Sequence, residues 1–263
     1  MVAWLIAGAV AAAAGLLAWD AHRTREIARE GENLHRQGRN EEALEKYDEA
    51  IRRDGANPQY RAQRGHVLRD LGKRNGALGA YRKAAELDPE SSAAHADVAR
   101  VLLSLGRPDD ARVAADRAIR LSGSNTEARR ILGDALWDAG MRQDAVYAMQ
   151  ELAHMRDTAG VRSRLAEMLH ALKRHGEELE ELERAVELDA NDARLHHRIG
   201  LAKLLIGKGD PKRRRRLYTG AIASFEAALE IDKHHAEAPV SLDYAKRQLA
   251  DLGPEGGPGT PDP

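Results

Sequence analysis

The stretch EALEKYDEA at residues 42–50 recurs as GALGAYRKA at residues 76–84, which lies 34 residues further along the chain. A third copy, ARVAADRA, follows at residues 111–118 with the same offset. Apolar residues spaced three and four apart within each copy are typical of an amphipathic α-helix. Self-similarity at a period of this length indicates an array of stacked helical repeats.

Six copies of this unit account for most of the chain, with one residue missing from the fourth copy and nine inserted in the sixth. Their bounds are 24–57, 58–91, 92–125, 126–158, 159–192 and 193–235. A small residue near position 8, glycine near 15, alanine at 20 and 27, and an aromatic at 24 recur in them, as in Gly65, Gly72 and Tyr81. This pattern resembles the tetratricopeptide repeat family. The fifth copy departs from it, because Glu178 stands where alanine is usual.

The resemblance implies an all-α fold, a right-handed superhelical solenoid of about six helix–turn–helix repeats spanning residues 23–252. Small residues allow close backbone approach, the aromatic fills the gap toward the neighbouring helix, and glycine suits the turn between the two helices. Residues 236–252 are predicted to form a capping helix, with Leu242, Tyr244, Ala245 and Leu249 covering the last repeat. The Gly/Pro-rich residues 253–263 are predicted to be a disordered tail.

The resemblance also implies a concave groove lined by the first helix of each repeat. The lining residues are then Arg25, Glu32, His35, Arg36, His66, Arg69, Arg100, Arg130, Asp134, Trp137, Glu167, His170, Arg194 and His197. This mixed, arginine-rich set suits an extended or helical peptide with acidic and apolar residues, although each charge is also compatible with an ordinary solvated surface. Trp137 follows a packing position, so either it points into the groove as a binding hot spot or it packs on the neighbouring repeat.

The insert of the sixth repeat, residues 208–217, carries five net positive charges. We expect a basic loop made of Lys208, Lys212, Arg213, Arg214, Arg215 and Arg216 between the two helices of that repeat. This loop is compatible with contact to anionic lipid, to an acidic protein or to nucleic acid. It is also compatible with a contact inside the chain, to the glutamates that open the second helix of the fifth repeat, or with simple solvation.

Residues 1–19 contain no charged side chain, and a helix of this length is about 28 Å long, close to the thickness of a bilayer core. We expect a retained transmembrane anchor over residues 1–22; a cleaved signal peptide and a buried helix are the alternatives. Basic residues follow this run and none precedes it, which favours a bacterial inner-membrane protein with a cytoplasmic repeat domain over a periplasmic one. Small residues four apart in the run would permit a homo-oligomer.

Several function classes are not supported by the sequence. The chain of 263 residues has no cysteine, which excludes disulfides and thiol chemistry, and its net charge of −1 does not demand a nucleic-acid partner. No phosphate loop, nucleophile elbow or HExxH motif is present. The histidine pairs at 196–197 and 234–235 cannot chelate a metal alone, because adjacent helical residues face different ways.

We therefore expect no enzyme, cofactor or metal site. We expect a membrane-tethered scaffold or adaptor that recruits or assembles a protein partner through its groove. A stoichiometric subunit of a larger membrane complex is the first alternative. A lipid- or nucleic-acid-binding protein that uses the basic insert is the second.

Overall fold

The computed structural model describes the backbone of residues 2–253 and the side chains of residues 18–253. This part of the chain contains thirteen α-helices and no strand, in agreement with the predicted all-α repeat fold. The helices are α1 (Val2–Arg36), α2 (Asn40–Arg53), α3 (Pro58–Asp70), α4 (Arg74–Leu87), α5 (Ser92–Ser104), α6 (Pro108–Leu121), α7 (Thr126–Asp138), α8 (Arg142–Met155), α9 (Ala159–Ala171), α10 (His175–Leu188), α11 (Ala193–Gly209), α12 (Arg214–Ile231) and α13 (Ala238–Ala250).

The chain divides into two compact units, residues 1–141 (unit 1) and 142–263 (unit 2). Inside each unit every helix packs on the helix that comes after it, and α1 on α3, α5 on α7 and α11 on α13 also touch. Contacts between elements close in sequence are the expected signature of a repeat array. We call the helix that opens a repeat its first helix and the other its second helix.

The close approach of paired helices depends on a glycine facing an aromatic ring. A Cβ added to Gly65 of α3 would lie 2.6 Å from Tyr81 of α4, and one added to Gly31 would lie 3.3 Å from the ring of Tyr47. Gly200 of α11 faces Phe225 of α12 in the same way. These rings are almost completely buried. The predicted roles of positions 8 and 24 are therefore confirmed at these three pairs.

In the third repeat, alanine replaces the aromatic. Ala99 and Ala115 pack there against Ile131 of the next repeat, and all three side chains are fully buried. A branched residue of the neighbouring repeat thus supplies the volume that an aromatic ring supplies elsewhere.

Glycines in a left-handed conformation form the turns between the helices of the first four repeats. Gly38, Gly72, Gly106 and Gly140 have φ between 69° and 82°, a region that costs other residues a steric penalty. In the fifth repeat the same place is taken by Lys173, whose φ is 60°.

The first helices of repeats two to six begin at a side-chain cap. In each case the last residue of the preceding repeat accepts a hydrogen bond from a backbone N–H of the first turn, which satisfies a donor that the helix leaves free. The caps are Asn57, Ser91, Asn125, Thr158 and Asp192.

The basic insert of the sixth repeat is not the predicted loop. Its residues extend α11 to 17 residues and α12 to 18, compared with 13 or 14 in α2 to α10, and leave only residues 210–213 as a turn. Gly207 matches the turn glycine of the other repeats but lies inside α11. A Cβ added to it would lie 2.8 Å from the ring of Tyr218. The longer helices bury Gly207 against Tyr218 as an additional glycine–aromatic pair. This packing stabilises the helical conformation of the insert.

The C-terminal helix α13 covers the end of unit 2, with Ala245, Leu242 and Leu249 packed in one apolar cluster with Tyr218 and Phe225. Tyr244 does not join them as predicted, because it lies on the outer face of α13 and is 51% exposed. The predicted disordered tail, apart from Gly253, lies outside the described residues.

No helix in the part of the chain with described side chains is long and apolar enough to cross a membrane. The apolar run on which the predicted anchor depends occupies residues 1–19, and the side chains of residues 1–17 lie outside the described set.

Candidate functional site

The first helices of unit 1 are joined side by side by polar contacts between predicted groove residues and acidic partners. His35 Nε2 of α1 lies 2.8 Å from Asp70 Oδ2 of α3. Further along, Arg100 Nε of α5 donates to Glu127 Oε1 of α7 at 3.2 Å. Each contact links a repeat to the next one. We call this row of first-helix side chains the polar ladder.

The middle step of the ladder is its most buried part. Asp97 is only 8% exposed; its carboxylate accepts a 2.6 Å hydrogen bond from Arg100 and lies 3.8 Å from His66 Nε2. The other ring nitrogen of His66, Nδ1, is 2.7 Å from the Tyr81 hydroxyl. Burial lowers the pKa of His66, although the Asp97 charge acts in the opposite direction. The neutral imidazole therefore connects the ladder to the core aromatic Tyr81.

Most of the predicted arginines are already paired within unit 1. Arg69 binds Asp70 at 3.1 Å, and Arg130 binds Glu127 at 2.7 Å and Asp134 at 2.8 Å. Burial acts to raise the pKa of Glu127, but the hydrogen bonds and positive charges of Arg130 and Arg100 together outweigh it and lower this pKa. The face is therefore close to charge-balanced rather than strongly cationic.

Sequence reasoning missed the acidic half of this ladder, namely Asp70, Asp97 and Glu127. Glu127 and Asp70 occupy the same repeat positions, 2 and 13, that supplied Arg25 and Arg36. The sequence signal for Asp70 and Glu127 is this positional equivalence, if acidic residues at these positions are considered as well as basic ones.

At the N-terminal end of the ladder, a pocket of about 220 Å³ lies between α1 and α3 with α2 at its base. Its lining comprises Arg25, Ala28, Arg29, Glu32, Tyr47, Gln59, Tyr60 and Gln63. Tyr47 is 1% exposed, and its buried hydroxyl has no hydrogen-bond partner among the described residues. Burial raises the pKa of Tyr47 to about 12, so this hydroxyl stays a proton donor. A buried donor without a protein partner is uncommon, because it loses its interaction with water.

Trp137, at the C-terminal end of α7, is partly buried. Whether it serves as a binding hot spot stays a prediction.

In unit 2 the predicted groove residues are less uniform. Glu167 is exposed and pairs with Arg164 at 3.1 Å, and Arg194 pairs with Asp192 at 2.9 Å. His197, in contrast, is 4% exposed and belongs to the core. Its Nε2 lies 3.0 Å from Ser241 Oγ of α13, which means that the capping helix covers this position. Burial, followed by the neighbouring His235, lowers the pKa of His197.

His170, the remaining predicted groove residue, takes part in a cluster that sequence reasoning did not identify. Its Nδ1 lies 2.9 Å from Glu178 Oε1, and His175 Nδ1 lies 2.9 Å from Glu178 Oε2. The three ligand-type atoms lie within 4.8 Å of one another. The signal for this cluster in the sequence was Glu178, which stands at a position where the repeat pattern has alanine.

The basic segment at residues 208–217 uses two of its arginines to close helix ends. Arg214 donates to the carbonyls of Gly207 and Lys208 at the end of α11, and Arg215 donates to the carbonyls of Leu252 and Gly253 beyond α13. Such contacts satisfy carbonyls left free at helix C-termini.

The other basic side chains of this segment point to solvent. Arg213 pairs with Asp210 at 3.5 Å, while Lys208, Lys212 and Arg216 are exposed and have no ion-pair partner within residues 18–253. Within that range, none of the six basic residues pairs with a glutamate of α10. The contact to the α10 glutamates considered from the sequence is therefore not formed among the described residues.

Paired helices with glycine–aromatic contacts, turn glycines and contacts between successive elements define the chain as a helical-repeat protein. A sequence model of the tetratricopeptide repeat family matches residues 62–126, 99–160 and 132–193, which together span half of the chain. The chain belongs to the tetratricopeptide repeat family. Proteins of this family generally mediate protein–protein interactions and are typically non-enzymatic.

Solved structures of the same fold agree with this assignment. MamA is 26% identical, with a TM-score of 0.57 over 66% of this chain and 96% of its own. YrrB, described as a TPR protein with an unusual peptide-binding site, is 19% identical, with a TM-score of 0.58 over 76% of this chain and 97% of its own. The C-terminal part of a TPR protein from Cytophaga hutchinsonii is 16% identical, with a TM-score of 0.67 over 87% and 96%. No curated protein sequence is significantly similar.

Proposed function

We propose that this chain is an adaptor that holds a segment of a partner protein on the first-helix face of unit 1. The observation that carries the proposal is the pocket between α1 and α3, where the buried Tyr47 hydroxyl has no protein acceptor among the described residues. A bound segment that offers an oxygen acceptor would satisfy this donor and remove its desolvation penalty.

The chemistry of the pocket favours an acidic side chain in that segment. Arg25 and Arg29 line it together with Glu32; Glu26 already pairs with Arg29 at 2.7 Å, whereas the Arg25 guanidinium donates to the neutral Ala21 carbonyl. A carboxylate placed between Arg25 and the Tyr47 hydroxyl would receive two charge-assisted hydrogen bonds, one from the guanidinium and one from the hydroxyl. Tyr60 and the stem of Gln63 provide apolar surface for the flanking residues.

The polar ladder supports this proposal by fixing the face before a partner arrives. Side chains already held by partners lose less conformational entropy on binding than free arginines do, so weak contacts are sufficient. Because the ladder is nearly charge-balanced, it would act mainly in selecting the register of the bound segment.

Site-specific photocross-linking in native membranes tests the proposal. We expect a photoreactive residue at Gln63 or at Trp137 to capture the same protein, and the same residue at exposed Arg82, on second helix α4, to capture none. Changing Tyr47 to Phe in the Gln63 probe should weaken the capture. Equal capture at all three positions, or capture unaffected by the Tyr47 change, would contradict the proposal.

We further propose that residues 1–22 tether the protein to a bacterial inner membrane with the repeat domain in the cytoplasm. The uncharged run at residues 1–19 and the basic residues after it support this orientation. Tethering raises local concentration, which lets a low-affinity face act. Sodium carbonate extraction should leave the chain in the membrane pellet, and protease added outside spheroplasts should spare it. A stoichiometric subunit would instead copurify with other chains at a fixed ratio in mild detergent.

A second candidate function, contact with anionic lipid headgroups, is favoured by the exposed Lys208, Lys212 and Arg216. Each basic residue near an anionic surface is worth about 1 kcal/mol. Replacing these three with serine should remove salt-sensitive binding of the chain to phosphatidylglycerol vesicles, whereas Arg214 and Arg215 are left in place because they close helix ends. Unchanged vesicle binding would exclude this candidate.

A further inference from the structure

The fifth repeat contains a buried carboxylate in a place built for a small apolar side chain. Glu178 is 2% exposed and lies in the first turn of α10. Burying an ionised carboxylate is expensive unless it is paired, so the groups around it have a definite role. Among the described residues, the side-chain partners of this carboxylate are the two imidazoles of His170 and His175.

The local chain geometry aims both imidazoles at this carboxylate. His175 opens α10 and lies three residues before Glu178, so the two share one face of the helix. His170 lies near the end of α9, on the other side of a turn in which Lys173 adopts a left-handed conformation. The imidazole rings meet edge to face, with centroids 5.4 Å apart, and both present Nδ1 to the carboxylate.

Two imidazole nitrogens and one carboxylate oxygen form a common set of protein ligands for zinc and similar ions. In a tetrahedral site with metal–ligand distances of about 2.0–2.2 Å, the ligand atoms are roughly 3.3–3.6 Å apart. The three ligand atoms here lie within 4.8 Å of one another, and Glu178 Oε2 lies 3.0 Å from His170 Nδ1 and 2.9 Å from His175 Nδ1. Side-chain shifts of less than about 1 Å would bring the three ligand atoms to that geometry.

The site is also open on one side. The His170 side chain is 51% exposed, and a pocket of about 190 Å³ lined by Glu167, Glu178, Arg198 and Leu201 adjoins it. Arg198 does not fill the site with positive charge, because its guanidinium is held by Ser163 Oγ at 2.7 Å and by Glu167 at 3.5 Å. An ion can enter there, and a water molecule can complete its coordination.

We propose that His170, His175 and Glu178 bind one divalent transition-metal ion of the zinc type, which links α9 to α10 across their turn. Each imidazole coordinates as the tautomer that carries its proton on Nε2, which leaves the Nδ1 lone pair free, and three coordinate bonds to the ion replace the hydrogen bonds to the carboxylate. It thereby fixes the repeat in which a lysine takes the place of the turn glycine and a glutamate the place of the small residue.

Titration of the untagged full-length chain in detergent with Co²⁺, and then with Zn²⁺ as competitor, tests this proposal. We expect the visible absorption bands of tetrahedral cobalt at one equivalent per chain, their loss on adding zinc, and a rise in the melting temperature of the chain with zinc. His170→Ala should weaken binding by at least about tenfold. This variant should still fold, because half of the His170 side chain is already exposed to solvent.

Glu178→Gln keeps the size of the side chain and should also abolish the cobalt bands. His154→Ala, which removes an exposed histidine of α8, is the matched control and should bind as the unmodified chain does. The proposal fails if the unmodified chain shows no tetrahedral cobalt spectrum, or if His170→Ala binds with unchanged affinity. In either case the two histidines serve only to satisfy the buried carboxylate.

Discussion

Replacing Gly65 with alanine should destabilise unit 1, because the new methyl group has no room. The added Cβ would lie 2.6, 2.8 and 2.9 Å from three ring carbons of Tyr81, whereas an ordinary carbon–carbon contact is about 3.5–4.0 Å. The ring cannot move aside freely. It is fully buried, and its hydroxyl is bonded to His66 Nδ1 at 2.7 Å.

Two opposing effects decide the magnitude. Overpacking a well-packed core by one methyl group costs about 1–3 kcal/mol, and a rigid, anchored ring places this site at the upper end. Alanine is a better helix former than glycine by about 1 kcal/mol, which offsets part of that cost. The net free energy of unfolding should therefore fall by about 2 kcal/mol.

Gly79→Ala in the neighbouring helix α4 is the matched control. Gly79 is exposed, and an added Cβ meets nothing within 4 Å, so only the helix-propensity gain remains. It should stabilise the chain by about 0.5–1 kcal/mol. Urea unfolding followed by circular dichroism measures both variants. In the double variant with Tyr81→Leu, the cost of Gly65→Ala should shrink. The reasoning is refuted if Gly65→Ala is as stable as Gly79→Ala, or if its cost is the same without the tyrosine ring.

The remaining predictions concern charge, backbone conformation and pH. Lys173→Gly should stabilise the chain by about 0.5–1 kcal/mol by relieving a left-handed non-glycine residue, and Gly72→Ala should destabilise it by a similar amount for the opposite reason. Arg100→Met should cost about 1–3 kcal/mol, because it leaves the buried Asp97 carboxylate without its 2.6 Å partner. Burial holds the pKa of His66 below the value of about 6.5 in the unfolded chain. The unfolded state therefore binds more protons in acid than the folded state does. The contribution of His66 to the free energy of unfolding should be fully present above about pH 6.5 and decrease as the pH falls below it. His66→Gln should flatten that decline.

Matched variants separate these causes from general damage. Lys83→Met removes an ion pair with Glu86 in which both partners are exposed, so the free energy of unfolding should stay close to that of the unmodified chain. Exposed His154→Gln should leave the acid decline as it is. Equal losses for the two cation variants would contradict the role of burial, and a pH profile unaffected by His66→Gln would remove His66 as its source.

The sequence alone was sufficient for the helical repeats because their packing is encoded at short range. A glycine eight residues into a repeat and an aromatic sixteen residues later, such as Gly65 and Tyr81, face each other in any helical pair with this connection. The turn glycines have the same origin, since each closes one tight connection. Even Lys173 occupies the predicted turn position, although its residue type gave no indication of a positive φ.

Only the tertiary structure decided which polar side chains meet. Asp70 reaches His35 and Glu127 reaches Arg100 across adjacent repeats, and that depends on how far one helix pair is rotated on the next. The burial of His197 depends on the capping helix, which lies outside its own repeat. The convergence of His170, His175 and Glu178 depends on a turn that brings two helix ends together. A repeat pattern specifies spacing along the chain, whereas contacts between charged groups depend on rotations and side-chain conformers that spacing does not contain.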